Sequence, residues 1–282
     1  MFVGNTYMKT WIFLLAVILM ACSGGEVSTC KEFFPDGTLS MEVLCDQNGT
    51  YQGEMRMYHE NGNLKAIRHF ADGKEQDTAR YFYQFSDQLM RLIPITQDLP
   101  NGRLQWFRQD GSLQKEADYL LGELHGEEIF YYPDGKQIAE KYSYQNGQMY
   151  GPYVQYRENG LPIKEGFYFN RLRFDQWKFY DDKGEISHVM GYYYNKREGP
   201  FAIYRPSGLP YITGSFHENL LSGKINFYDR EGSIIFQEEW VDGKKVQGNT
   251  GSKTPQSFGP EDVSFKMEGK TFRLEKDQVL VQ

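Results

Sequence analysis

Gly223-Lys224-Ile225-Asn226-Phe227-Tyr228-Asp229-Arg230-Glu231-Gly232, followed by Ser233-Ile234-Ile235-Phe236-Gln237-Glu238-Glu239-Trp240, decides the fold of this chain. The first segment alternates polar with apolar residues and becomes continuously apolar at its end. Asp229 to Gly232 reads as a tight turn, and Ile234 to Trp240 returns as a second strand. The pattern recurs along the chain. Turn glycines stand at Gly37, Gly62, Gly111, Gly135, Gly160, Gly184, Gly208 and Gly232, at intervals of 25, 49, 24, 25, 24, 24 and 24 residues. The 49-residue interval is read as holding one degenerate unit with Asp87 at the glycine place. Four residues before each turn place stands an aromatic: Phe33, Tyr58, Tyr83, Phe107, Tyr131, Tyr156, Tyr180, Tyr204 or Tyr228. Nine residues before it come Gly53, Thr78, Gly102, Gly126, Gly151, Asp175, Gly199 and Gly223. Three registers that agree from Phe33 to Gly232 define a tandem array of nine hairpin units.

The turn chemistry fits. Phe34-Pro35-Asp36-Gly37, Tyr132-Pro133-Asp134-Gly135 and Arg205-Pro206-Ser207-Gly208 place Pro where a type I turn wants φ preset, before a glycine of positive φ. Eight residues after the turn the returning strand carries Phe70, Tyr119, Tyr168, Tyr192, Phe216 or Trp240, and a second, looser turn follows, as at Asn146-Gly147 and Asp242-Gly243. No segment past the amino-terminal run keeps a 3.6-residue apolar period over helical length. The expected fold is therefore all-β: an elongated, twisted antiparallel meander of some eighteen strands, with a helix only in the amino-terminal signal. A lone hairpin buries too little to be stable, so neighbouring units must pack on one another. The nine aromatics before the turns are read as that packing core.

The unit Gly-x4-Tyr-x3-Gly-x-(Leu/Ile), with (Tyr/Phe)-x-(Asn/Asp)-Gly after it, resembles the MORN-repeat variant of bacterial proteins, over residues 30–247. That resemblance implies a protein-docking or membrane-associated scaffold. Many bacterial relatives are labelled antitoxin components of toxin–antitoxin systems.

Lys9 precedes an apolar run from Trp11 to Met20 that is too short to span a bilayer, as in a secretory signal over residues 1–21. Leu19-Met20-Ala21-Cys22 resembles a bacterial lipobox, which implies cleavage before Cys22 and a lipid on its sulfur; Met20 departs from the usual small residue. The alternative is an ordinary signal peptide with an unmodified cysteine. Residues 22–29 read as a tether, and the absence of Asp directly after Cys22 points to the outer membrane. The chain is then expected in the bacterial cell envelope. In such an oxidising place Cys30 and Cys45 are free to pair. They flank the first turn about three residues out of direct opposition, so a disulfide and two buried thiols are both open. Residues 248–262 read as a linker, and 263–282 as a β extension able to cap the sheet edge.

Composition narrows function. The formal charge is −7, and removing residues 1–21 deletes Lys9 and no acid, leaving −8. That sign argues against nucleic acid as partner. The five histidines, 59, 69, 125, 188 and 217, take five different phases of the repeat, and no metal-ligand, Gly-x-Ser-x-Gly or phosphate-loop spacing occurs. The acid pairs Asp181-Asp182, Glu238-Glu239 and Glu127-Glu128 would face opposite ways on a strand. The reading is no catalytic residues, no metal and no cofactor. Three functions remain: a scaffold docking another protein, an immunity or antitoxin-type protein, and a glycan binder using Tyr192, Tyr193, Tyr194, Tyr150, Tyr153 and Trp177 as a stacking face.

Overall fold

The computed structural model describes residues 27–248, and the strand backbones of Ser264–Met267, Lys270–Glu275 and Gln278–Val281. The signal segment, Cys22 and nearly all of the linker lie outside the described residues. The described residues form strands and turns and no helix. Twenty-one antiparallel strands, from Ser28–Phe33 to Lys244–Gly248, make one sheet in which each strand pairs with its neighbours in the chain. Leu99–Pro100 and Gln148–Met149 are short pieces that pair with the same strand as the segment after them. The three carboxy-terminal strands hydrogen-bond in a sheet of their own instead of extending the edge at Lys244–Gly248.

All eight turn glycines adopt φ between +67° and +87°, and each N–H donates to the carbonyl three residues earlier, as Gly62 does to His59 at 2.9 Å. This is a type I turn closed by a left-handed residue, the form whose twist suits a hairpin. The degenerate unit corrects the sequence phasing by one residue. Ser86 N–H donates to Tyr83 O and Tyr83 N–H to Gln88 O, so Ser86, not Asp87, holds the glycine place, in a loop one residue longer. The aromatic place falls to Phe82, at the same bulge that precedes Tyr58 and Phe107, and not to Tyr83. The place nine residues before falls to Asp77 (φ +67°), matching Asp175 (φ +61°), and not to Thr78. Tyr83 instead joins His59, Arg108, Tyr132, Arg157 and Arg205, whose side chains each bond the aromatic-place carbonyl of the next unit. Tyr83 reaches Phe107 O at 2.7 Å and Tyr132 reaches Tyr156 O at 2.7 Å.

The core lies on the face opposite to the one expected. None of the aromatics before the turns is buried, and Phe33 is 60% exposed. Their hydroxyls reach polar groups of the preceding unit: Tyr58 bonds Glu42 at 2.9 Å, Tyr131 bonds Glu116 at 2.8 Å and Tyr228 pairs with Thr213 at 3.0 Å. That face carries ion pairs such as Arg103–Asp118 at 2.7 Å and Lys178–Glu165 at 2.8 Å. The residue seven before the turn place is buried in every unit after the first: Met55, Ala79, Leu104, Glu128, Tyr153, Trp177, Phe201 and Ile225. The single charge in that row, Glu128, is paired with Lys115. Directly across the ladder from the place nine before the turn stands the ring of the returning strand: Gly53 faces Phe70, Gly102 Tyr119, Gly151 Tyr168, Asp175 Tyr192, Gly199 Phe216 and Gly223 Trp240. A residue with little or no side chain there leaves room for the ring, and its left-handed conformation kinks the strand. The largest cluster gathers Tyr153, Trp177, Met190, Tyr192, Phe201, Ile203 and Phe227.

Cys30 and Cys45 are joined, with Cα atoms 5.9 Å apart. Cys30 stands across from Val43, so the cysteines are two residues out of opposition, diagonal neighbours on the core face.

Candidate interaction surface on the edge of the second turns

The second turn of each unit is not loose. Eight of these connections hold two consecutive residues at positive φ, from Asp72 (+49°)-Gly73 (+75°) to Asp242 (+48°)-Gly243 (+73°), the type I′ form. The N–H of the second residue donates to a carbonyl of the preceding unit, at 2.8 to 3.0 Å throughout, so the turns stack along one edge of the sheet. Apolar side chains cover them: Leu99 lies against Gly122 and Leu220 against Gly243.

This edge concentrates exposed apolar side chains, including Leu99, Leu120, Leu121, Tyr150, Tyr193, Tyr194, Leu220 and Val241. Two depart from turn chemistry. The first turn residue is Asp, Asn, Gln or Glu in six units, but Leu121 (φ +48°) and Tyr194 (φ +48°) in the other two. They are 61% and 40% exposed. A large side chain at positive φ carries strain, and the exposed part of an apolar one gains nothing from folding.

Around Tyr194 the edge widens into a connected aromatic cluster. Tyr150 meets Phe167 at 5.7 Å and Phe169 at 5.2 Å; Phe169 meets Phe174 at 5.5 Å and Tyr194 at 5.8 Å. Phe174 meets Tyr193 at 5.6 Å, and Tyr193 meets Tyr194 at 4.5 Å. Next to it opens a cleft of about 530 Å³ lined by Tyr193, Tyr194, Lys196, Glu198, His217 and Glu218. Its charges are paired: His217 Nδ1 lies 3.0 Å from Glu198 Oε1, Lys196 Nζ 2.8 Å from Glu218 Oε1, and Glu218 N–H donates to Glu198 Oε2 at 2.8 Å. That backbone bond first, then His217, holds the Glu198 carboxyl below its ordinary range, while Glu198 raises His217.

The structure divides the aromatics expected as one stacking face. Trp177, Tyr153 and Tyr192 are core, whereas Tyr150, Tyr193 and Tyr194 are exposed. The acid pairs separate as well: Glu127 holds Lys141 on one face while Glu128 holds Lys115 on the other, and Glu238 is buried against Lys245 and Trp240 Nε1. Among the described residues no group of three metal-ligating side chains occurs. Sequence reading missed Leu121, Lys196, Glu198, His217 and Glu218. The signal for Leu121 was present, since a bulky residue precedes the turn glycine where Asn146 and Asp242 stand in other units.

The family profile of the MORN repeat variant matches residues 51–72 and 124–146. Two stretches of this chain are MORN repeat variants. MORN repeats are in general protein- and lipid-interaction modules, and their all-β folds are typically non-catalytic. No curated protein matches the chain. Solved structures with some likeness include TcdB2-TccC3-TEV, at 11% identity over 76% of this chain and 14% of that one, with a TM-score of 0.22. A porin-like protein from Bacteroides uniformis ATCC 8492 follows at 8% identity over 78% of this chain and 92% of that one, with a TM-score of 0.17. The chain spans about one-seventh of the first, and at such scores neither likeness bears on the function of the MORN units.

Proposed function

We propose that this is a lipid-anchored, non-catalytic scaffold of the bacterial cell envelope that docks a protein partner along the edge of its type I′ turns. The carrying observation is the pair Leu121 and Tyr194, apolar side chains held at positive φ and exposed on the same edge. Each conformation costs about 1–2 kcal/mol relative to a residue at home there, and exposed apolar area on a stable monomer marks interaction surfaces. Residues whose backbone is strained and whose apolar surface stays exposed are best accounted for by a partner. Anchoring through Cys22 is supported by Lys9, the apolar run before Met20 and the sequence Leu19-Met20-Ala21-Cys22. The Cys30–Cys45 bond suits an oxidising compartment.

The test uses turn-compatible replacements. Leu121→Asn should fold as stably as the parent chain, or more so, because Asn accepts positive φ; Tyr194→Asn gains the same relief but gives up ring contacts with Phe169, Phe174 and Tyr193, so circular dichroism checks that its sheet is kept. Cross-linking in intact cells should recover one stoichiometric protein partner with the parent chain and lose it with both variants. Recovery of no partner, or of the same partner with both variants, would refute the proposal.

A further inference from the structure

We propose that the cleft between Tyr193 and His217 is a binding site for a neutral saccharide. It goes beyond the scaffold reading and shares with it only Tyr194, which lines the cleft and braces Tyr193. The site joins two chemistries that sugars require together. Tyr193 is 54% exposed, its ring braced from behind by Phe174 and Tyr194, so it offers a firm apolar surface to the C–H face of a pyranose. Beside it, Glu198 and Glu218 supply carboxylate acceptors, and Lys196 and His217 supply donors. Hydroxyl groups both donate and accept, so a polyol can be bonded by both sets at once.

Charge selects against the alternatives. Each basic group in the cleft already has a carboxylate partner, Lys196 in Glu218 and His217 in Glu198. An anionic ligand would have to displace a glutamate, and a cationic one a lysine or histidine. A neutral polar ligand leaves both pairs intact. The scale agrees: about 530 Å³ lies within the range of small-molecule sites, and its open mouth allows a longer chain to extend past the bound unit. Glu198 and His217 stand on the two strands of one hairpin, 19 residues apart in sequence, and Tyr193 belongs to the strand before them, so the pairing of one unit with the next builds the site.

The probes are maltose, cellobiose and N,N′-diacetylchitobiose, titrated calorimetrically into the full chain. At least one should bind saturably with one-to-one stoichiometry. Tyr193→Ala should weaken that binding about tenfold, the scale of one ring stacking contact, and Glu198→Gln should weaken it comparably. Leu121→Asn should leave it unchanged. Circular dichroism would confirm that Tyr193→Ala and Glu198→Gln keep the sheet. Binding of none of the three probes overturns the proposal, as does binding that Tyr193→Ala leaves intact. If Tyr193→Ala instead abolishes capture of a protein partner while no sugar binds, the saccharide site falls and the scaffold stands.

Discussion

Gly166→Ala isolates the packing that holds the largest cluster. Gly166 is not among the glycines of positive φ, so an added methyl group brings no backbone strain and its whole effect is contact. A Cβ built there would stand 2.3 Å from Cδ2, 2.4 Å from Cε2 and 2.6 Å from Cγ of Trp177. The indole has nowhere to retreat. It is 0% exposed, flanked by Tyr168 at 5.1 Å and Tyr153 at 5.5 Å, covered by the Arg173 guanidinium at 5.1 Å, and tied through Nε1 to Phe167 O at 3.3 Å. Overpacking of this kind costs about 1–3 kcal/mol, and the enclosure of the ring argues for the upper half of that span. In a chain of this size about 2–3 kcal/mol lowers the thermal midpoint by roughly 4–12 °C. Urea unfolding of a double-mutant cycle with Trp177→Leu is the decisive assay. Removing the indole opens the space, so Gly166→Ala should cost almost nothing in that background, a coupling of about 2 kcal/mol. An equal cost in both backgrounds would refute the claim that Gly166 exists to seat this ring.

Three further outcomes are expected. Asp77→Gly should stabilise the chain by about 0.5–1 kcal/mol by relieving a left-handed aspartate, while Thr78→Gly should destabilise it; the reverse result in chemical denaturation would restore the one-residue-later phasing. Reducing Cys30–Cys45, or replacing both by Ser, releases a loop of sequence separation 15, worth about 3 kcal/mol; hydrogen exchange should show the loss confined to the first units, and a uniform loss along the sheet would contradict nearest-neighbour coupling. Tyr131 and Tyr180 are each pushed up to about 12, first by burial and then by bonds to Glu116 and Glu165. Unfolded tyrosine titrates near 10, so their contribution is complete below that pH and is lost as pH climbs towards 12. Phenolate absorbance and the β circular-dichroism signal should therefore change together above pH 10, and reversible ionisation near 10 with the sheet intact would count against these bonds.

The repeat was legible because turn chemistry is local. A glycine three residues after a turn's first residue, with Pro or Asp between in five units, specifies its own geometry whatever surrounds it, and eight of nine units carried that glycine. The ninth was misplaced by one residue because Phe82 and Tyr83 are both aromatic, and without the glycine nothing local separates them. The backbone does so, in the bulge before Phe82 and the Ser86 N–H bond to Tyr83 O, together with the bond from Tyr83 to Phe107 O in the next unit. Recurrence misled in a second way. The aromatics before the turns recur in every unit, which suggests a core, yet strand parity says otherwise: Ile225 and Phe227 share a face, and Tyr228 takes the other. At the tyrosine places the rings are only half-buried and their hydroxyls bond residues such as Glu42 and Glu116. The cleft was illegible for another reason, since it joins Glu198 and His217, opposed across one hairpin, to Tyr193 of the strand before it, a meeting that only the pairing of consecutive units produces.

A sheet one layer thick has few surfaces with which to bind, and two of them are already occupied. One face stacks rings such as Tyr153, Trp177 and Phe227 and lays cations such as Lys115 and Arg173 over them. The other joins acids to bases in pairs worth little individually, such as Lys31–Glu42 and Lys141–Glu127. The edge of the type I turns is taken up by side chains clasping the next unit, as Arg108 and Arg205 do. On the opposite edge the turns are linked by backbone bonds together with side-chain acceptors such as Asp98, Asn195 and Asn219, which take the N–H groups of Glu75, Arg173 and Arg197 and leave the other turn places independent of that task. Apolar residues have nevertheless accumulated at that edge, and two of them sit where the backbone resists them. The same independence that lets Asp72, Asn146 and Leu121 occupy equivalent places lets the edge vary its chemistry unit by unit without disturbing the sheet.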